Sequence, residues 1–147
     1  MGGFSVAPGK VGKIKVTTVC LEHGKEDPNP RIPYEIKKIE EFNKNPEVAE
    51  LCKLLGTGKI SQSAAQAAAW HLTDGLTPQQ LASKVKVRHL NGSTEMYFTR
   101  QQLQLANRIL VEVKQRVAKA KKDEKSQSED VSPGDLISKE LAEAKKK

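Results

Sequence analysis

Aromatic residues are scarce in this sequence: three Phe, two Tyr and one Trp, 4% of 147 positions. That leaves little for base stacking and argues against a single-stranded nucleic-acid platform. Long apolar runs are missing too. None approaches the roughly 18 residues needed to span a bilayer, so no membrane helix is expected. Cysteine is limited to Cys20 and Cys52. Two thiols exclude a disulfide-dense scaffold but allow one Cys20–Cys52 bridge in an oxidising compartment, or two free thiols in a reducing one. No phosphate-binding glycine loop, dinucleotide fingerprint or paired-carboxylate arrangement occurs, so neither a multi-turnover enzyme nor a cofactor is expected. The first dozen residues lack a basic stretch followed by an apolar one, and no secretory signal is read there.

Charge is abundant. The formal net charge is +7, with 29% charged residues and a mean hydropathy of −0.58. From Lys121 to Lys147 seven lysines meet seven acidic residues, so the whole excess lies before that stretch. A basic balance admits an anionic partner, including nucleic acid, although a solvated surface accounts for it more simply.

The chain is centred on Ser61–Leu72, an alanine-rich run that holds the only Trp. Alanine is the best helix former, and Ala65, Ala68, Ala69 and Leu72 recur at the spacing of one buried stripe. Around it the pattern predicts an α+β fold dominated by helix: four helices, a short N-terminal strand pair and a β-hairpin. Residues 1–12 read as a flexible, glycine-rich leader, 13–122 as a single domain, and 123–147 as a disordered charged tail with at most a marginal helix over Ser138–Lys146. β-Branched residues between Lys13 and Leu21 predict a first strand, with Ile14, Val16, Thr18 and Cys20 on one face. Tyr34–Ile36 and Ile39 supply a second strand antiparallel to it. Asn45–Pro46 opens a helix whose stripe is Val48, Leu51, Cys52 and Leu55, with Gly56 just past its end. Thr77–Pro78 and Thr99 open two more, each with Gln three residues on as in a capping box. Asn91–Gly92 marks the hairpin. The last helix carries a seam of Leu103, Ala106, Leu110, Val113 and Val117, and its other face carries Arg100, Arg108, Lys114, Arg116, Lys119, Lys121 and Lys122.

Cys20, His23, Cys52 and His71 hold the donor inventory of a zinc site but lack its close spacing, so no metal site is expected. Cys20 with His23 or His71 offers a nucleophile and a base but no oriented third member. Arg108, Lys114, Arg116 and Lys119 give phosphate affinity without base readout.

One pattern has a known counterpart. Ala65-Gln66-Ala67-Ala68-Ala69-Trp70 resembles the helical Thr-Gln-x-Ala-Ile-Trp motif of Gram-positive surface thioester domains at its Gln, Ala and Trp positions, with Ala65 in place of the Thr and Ala69 in place of the Ile. Val19-Cys20-Leu21 resembles the early strand that bears their cysteine. The resemblance implies Cys20 as nucleophile, Gln66 as acyl donor and Trp70 as a shield from water, forming an internal thioester that acylates a target amine. The blocks Val19–Gly24 and Ala64–Leu72 also look like those of small exported bacterial proteins. Together these imply a non-enzymatic interaction module, exported or at the cell surface, with a protein or surface ligand. The competing expectation is an intracellular basic adaptor that contacts nucleic acid or a partner helix through the last helix. The residues themselves leave Cys20 free, bridged or acylated.

Overall fold

Helix starts explain most of the architecture. In the computed structural model, which describes residues 3–129, the element order is α1 (Ile39–Phe42), α2 (Pro46–Gly56), α3 (Gln62–Asp74), α4 (Pro78–Ser83), β1 (Val85–Arg88), β2 (Thr94–Met96) and α5 (Arg100–Glu129). The fold is helix-dominated α+β with a two-stranded antiparallel sheet. Asn45 caps α2 by accepting the Glu47 N–H at 2.9 Å, with Pro46 at the first helical position. Thr77 and Gln80 close a capping box on α4, and Thr99 and Gln102 repeat the same pair of bonds at the start of α5. Each satisfies amide donors that a helix start otherwise leaves open. At the end of α3, Gly75 adopts φ 67°, the left-handed conformation glycine reaches without penalty, and its N–H returns to the Trp70 carbonyl.

The core lies where α2, α3 and α5 meet. α2 contributes Val48, Leu51, Leu54 and Leu55; α5 contributes Ala106, Ile109, Leu110, Val113 and Val117. Between them α3 is enclosed on nearly all sides, with every residue from Ala64 to Trp70 buried. Methyl-sized side chains on several faces let two neighbouring backbones approach one helix closely, at the cost of little apolar area per residue. The expected seam of α5 is present, with Leu103 only half-buried.

Four expectations are corrected. The N-terminal strand pair does not form: Lys13–Leu21 and Tyr34–Ile36 belong to no strand. Pro28, Pro30 and Pro33 remove amide donors from the connecting stretch, where Asn29 N–H turns to the Tyr34 hydroxyl. Ile39 instead opens α1, which makes five helices rather than four among the described residues. Cys52 is half-buried on α2 and Leu54 takes the buried place, while the helix runs through Gly56 to a cap at Thr57. The expected tail is helical as far as Glu129, because Ala, Lys and Glu sustain the helix that packing of Ala106–Val117 has already nucleated. Residues 118–127 of that extension are all exposed. Residues 1–2 and 130–147, with the expected marginal helix over Ser138–Lys146, lie outside the described residues.

The hairpin pairs Val85 with Met96, Val87 with Glu95 and Arg88 with Thr94, with a bulge at Lys86. Its loop is Leu90–Gly92 rather than two residues. The Gly92 N–H closes a turn onto the His89 carbonyl, and Gly92 at φ 85° lets His89 and Ser93 pair. Phe98, just beyond, is buried against α3, and so anchors a sheet that would be marginal alone.

Candidate functional site

Gln66 is the one buried polar residue of the described core, 4% exposed. A buried primary amide needs partners for both ends, and both are supplied by a residue 46 positions away. Gln66 Oε1 accepts the Cys20 N–H at 2.8 Å, and Gln66 Nε2 donates to the Cys20 carbonyl at 2.7 Å. The side-chain amide thus pairs with Cys20 as a neighbouring strand would, on both of its main-chain groups.

The same helix holds the segment at two further points. Gln62 Nε2 donates to the Thr18 carbonyl at 3.2 Å, and Asp74 Oδ2 accepts the His23 N–H at 3.2 Å. Gln62, Gln66, Trp70 and Asp74 follow one another at intervals of four, so a single slanted line along α3 faces Thr18–His23. Val19, Cys20 and Leu21 pack against the core beneath them.

Trp70 continues this line and gathers four side chains. The His23 and Phe98 rings meet it edge-on at 4.9 Å and 5.8 Å, and Tyr97 lies tilted at 5.3 Å between centroids. Lys84 Nζ stands 5.1 Å from the Trp70 ring centre and 5.2 Å from that of Tyr97. It also donates to His23 Nε2 at 2.9 Å, which requires a neutral imidazole with its proton on Nδ1. Trp70 Nε1 is buried and has no hydrogen-bond partner among the described residues. Such an orphan donor costs about 1–3 kcal/mol.

A cleft of about 950 Å³ opens over this cluster, lined among others by Cys20, Gln66, Trp70, Lys84, Tyr97 and Tyr34. The three residues singled out by the thioester resemblance are therefore brought to one cavity wall. Their present contacts are those of a clamp. The Cys20 thiol donates to the Glu22 carbonyl at 3.1 Å, while the Gln66 amide is occupied by Cys20's main chain.

Other candidates are dispersed. Cys20 and Cys52 are both free thiols, so the expected alternative of a bridge is not formed: Cys20 is pinned to α3, and Cys52 sits on α2. Burial pushes the Cys52 thiol above the usual thiol range. His71 Nδ1 is 2.8 Å from the Leu76 carbonyl, in the turn after α3, and is thereby committed as a donor there. No cluster of three or more metal-ligating side chains occurs among the described residues. Arg108, Lys114, Arg116 and Lys119 are exposed on α5, but only Arg108, Arg116 and Lys119 share a face. At about 100° per residue, Lys114 lies roughly opposite Arg108 and Lys119, while Glu112 falls between Arg108 and Arg116. Glu112 pairs with Arg116 at 2.7 Å, which lowers the positive field on that side. No described helix is long and apolar enough to cross a membrane.

Gln62, His23, Lys84 and Tyr97 complete the site; of these only His23 had been set beside Cys20 in the sequence, as a candidate base. Gln62 gave one signal, a second Gln four residues before Gln66 on an otherwise alanine helix. Lys84 gave none among so many lysines. Comparison with protein-family models, curated proteins and solved structures returned no match.

Proposed function

We propose that this chain is a non-enzymatic interaction module whose ligand surface is the cleft over Cys20, Gln66 and Trp70, with Cys20 and Gln66 as a covalent capture pair. The observation that carries this reading is the two-point pairing of the Gln66 amide with Cys20 at the cleft wall. It holds a thiol-bearing residue and a desolvated amide together across 46 positions, the proximity that makes an intramolecular acyl transfer competitive. In the capture step the Cys20 sulfur bonds to the Gln66 carbonyl carbon. The carbon–nitrogen bond breaks, and the thiol proton leaves with the nitrogen as ammonia. A target amine then attacks the thioester, forms an amide with residue 66 and returns the Cys20 thiol. Each molecule reacts once. Trp70 and its ring neighbours keep bulk water from the bond. An exported or cell-surface setting is part of the same proposal.

Intact mass of the denatured, unreduced protein tests it, with and without methylamine and iodoacetamide. A deficit of about 17 Da, abolished by methylamine addition, is the expected result for the ammonia-losing step. Full mass with two alkylated thiols would leave Gln66 as a clamp only and remove the covalent step. Binding through the basic residues of α5 would appear instead as affinity for heterologous DNA that falls steeply with salt.

A further inference from the structure

Between Val11 and Cys20 the chain forms no helix, turn, bend or strand. Among the described residues no main-chain N–H or carbonyl from Val11 to Thr17 makes a hydrogen bond. Val11, Ile14 and Val16 are 88%, 65% and 69% exposed. Ile14 and Val16 alternate with Lys13, Lys15 and Thr17, as in a strand with one apolar and one polar face. The segment is also tethered: immediately after it, Gln62 and Gln66 hold Thr18 and Cys20 to α3. A β-competent stretch with open main-chain groups, fixed at one end to a rigid core, is a template for strand addition.

We propose that Lys13–Thr17 binds by strand addition to the edge of a partner's β-sheet, and that the partner edge carries acidic side chains opposite Lys13 and Lys15. The charge pattern selects that occupant. From Gly3 to Leu21 there are three lysines, Lys10, Lys13 and Lys15, and no acidic residue. None of the three has an ion-pair partner among the described residues. Antiparallel pairing with a second copy centred on Lys15 would set lysine against lysine, and like charges directly opposite oppose pairing. An edge of alternating acidic and β-branched residues satisfies both faces.

The probe is a fluorescent peptide of alternating Glu and Val, closed into a hairpin so that one edge is open, added to the full chain. Anisotropy and amide hydrogen exchange are read together. The expected result is saturable binding, with protection appearing at Lys13–Thr17 and unchanged exchange in α2, α3 and α5. Lys13→Glu/Lys15→Glu should weaken binding at least tenfold, and Val16→Pro, which removes a donor from an exposed site, should abolish the protection. Circular dichroism of both variants should match the parent. Binding without protection at Lys13–Thr17, or no binding at all, overturns the proposal. Protection of these amides in the absence of peptide, with a dimer by sedimentation, overturns the assignment of an acidic partner. Neither variant alters Cys20 or Gln66, so the outcome is read separately from the mass test of the thioester.

Discussion

The substitution Gln66→Glu tests the clamp at its weakest point. A carboxylate keeps an oxygen to accept the Cys20 N–H but, when ionised, has no donor for the Cys20 carbonyl now held at 2.7 Å. The protonated acid restores the donor. Burial at 4% exposure and an opposed carbonyl both favour the neutral form, so the folded-state pKa of the introduced carboxyl should rise above the ordinary glutamate value. The folded state then binds the proton more tightly than the unfolded chain. Stability should match the parent most closely near pH 4, fall as pH climbs through the interval between the two values, and level off above it. Each pH unit of that interval is worth about 1.4 kcal/mol, so the measured deficit at high pH reports the size of the rise. Undocking of Thr18–His23 sets a lower ceiling if that segment leaves α3 before the helices separate. Urea denaturation of the parent and Gln66→Glu at pH 4 and pH 8, with hydrogen exchange at the Cys20 amide, separates global loss from local release. A variant whose deficit is the same at both pH values, with Cys20 still protected at pH 8, would refute the two-point clamp.

Three further outcomes follow from single contacts. Trp70→Phe removes a buried donor that has no partner among the described residues, so it should cost no more than about 1 kcal/mol by urea midpoint, whereas Trp70→Ala should cost about 3–5 kcal/mol. Thr77→Ala opens the capping box of α4 and should lower stability by about 1 kcal/mol, with the Gln80 amide exchanging faster. Cys52 should alkylate with a midpoint above that of a small thiol, since burial raises it; a midpoint at or below the small-thiol value would contradict its position on α2. The sign for stability is the same as for any raised acid: stability is unaffected below the unfolded thiol's range and falls as pH rises from there through the higher folded one.

Helix starts were readable because they depend on neighbours in sequence. Asn45–Pro46, Thr77–Pro78–Gln80 and Thr99–Gln102 satisfy amides within three residues, whatever the rest of the chain does. Gly75 and Gly92 likewise answer local requirements for positive φ. The seam of α5 followed from spacing alone. What failed was long-range. β-Branched residues at Lys13–Leu21 predicted a strand, but whether such a segment becomes one depends on a partner backbone, and at Thr18–Cys20 α3 side chains took that place.

The site divides in the same way. Cys20, Gln66 and Trp70 were visible in sequence as a pattern, and local propensity alone put Gln66 and Trp70 one helical turn apart. Only the tertiary structure decided that Gln66 would spend both ends of its amide on Cys20's main chain, and that the thiol would turn to Glu22. The same holds for Lys84, set between Trp70 and Tyr97 beside His23. Hydrogen bonds and ring contacts across 13 to 61 positions depend on how helices and hairpin pack, and packing is a property of the assembled core.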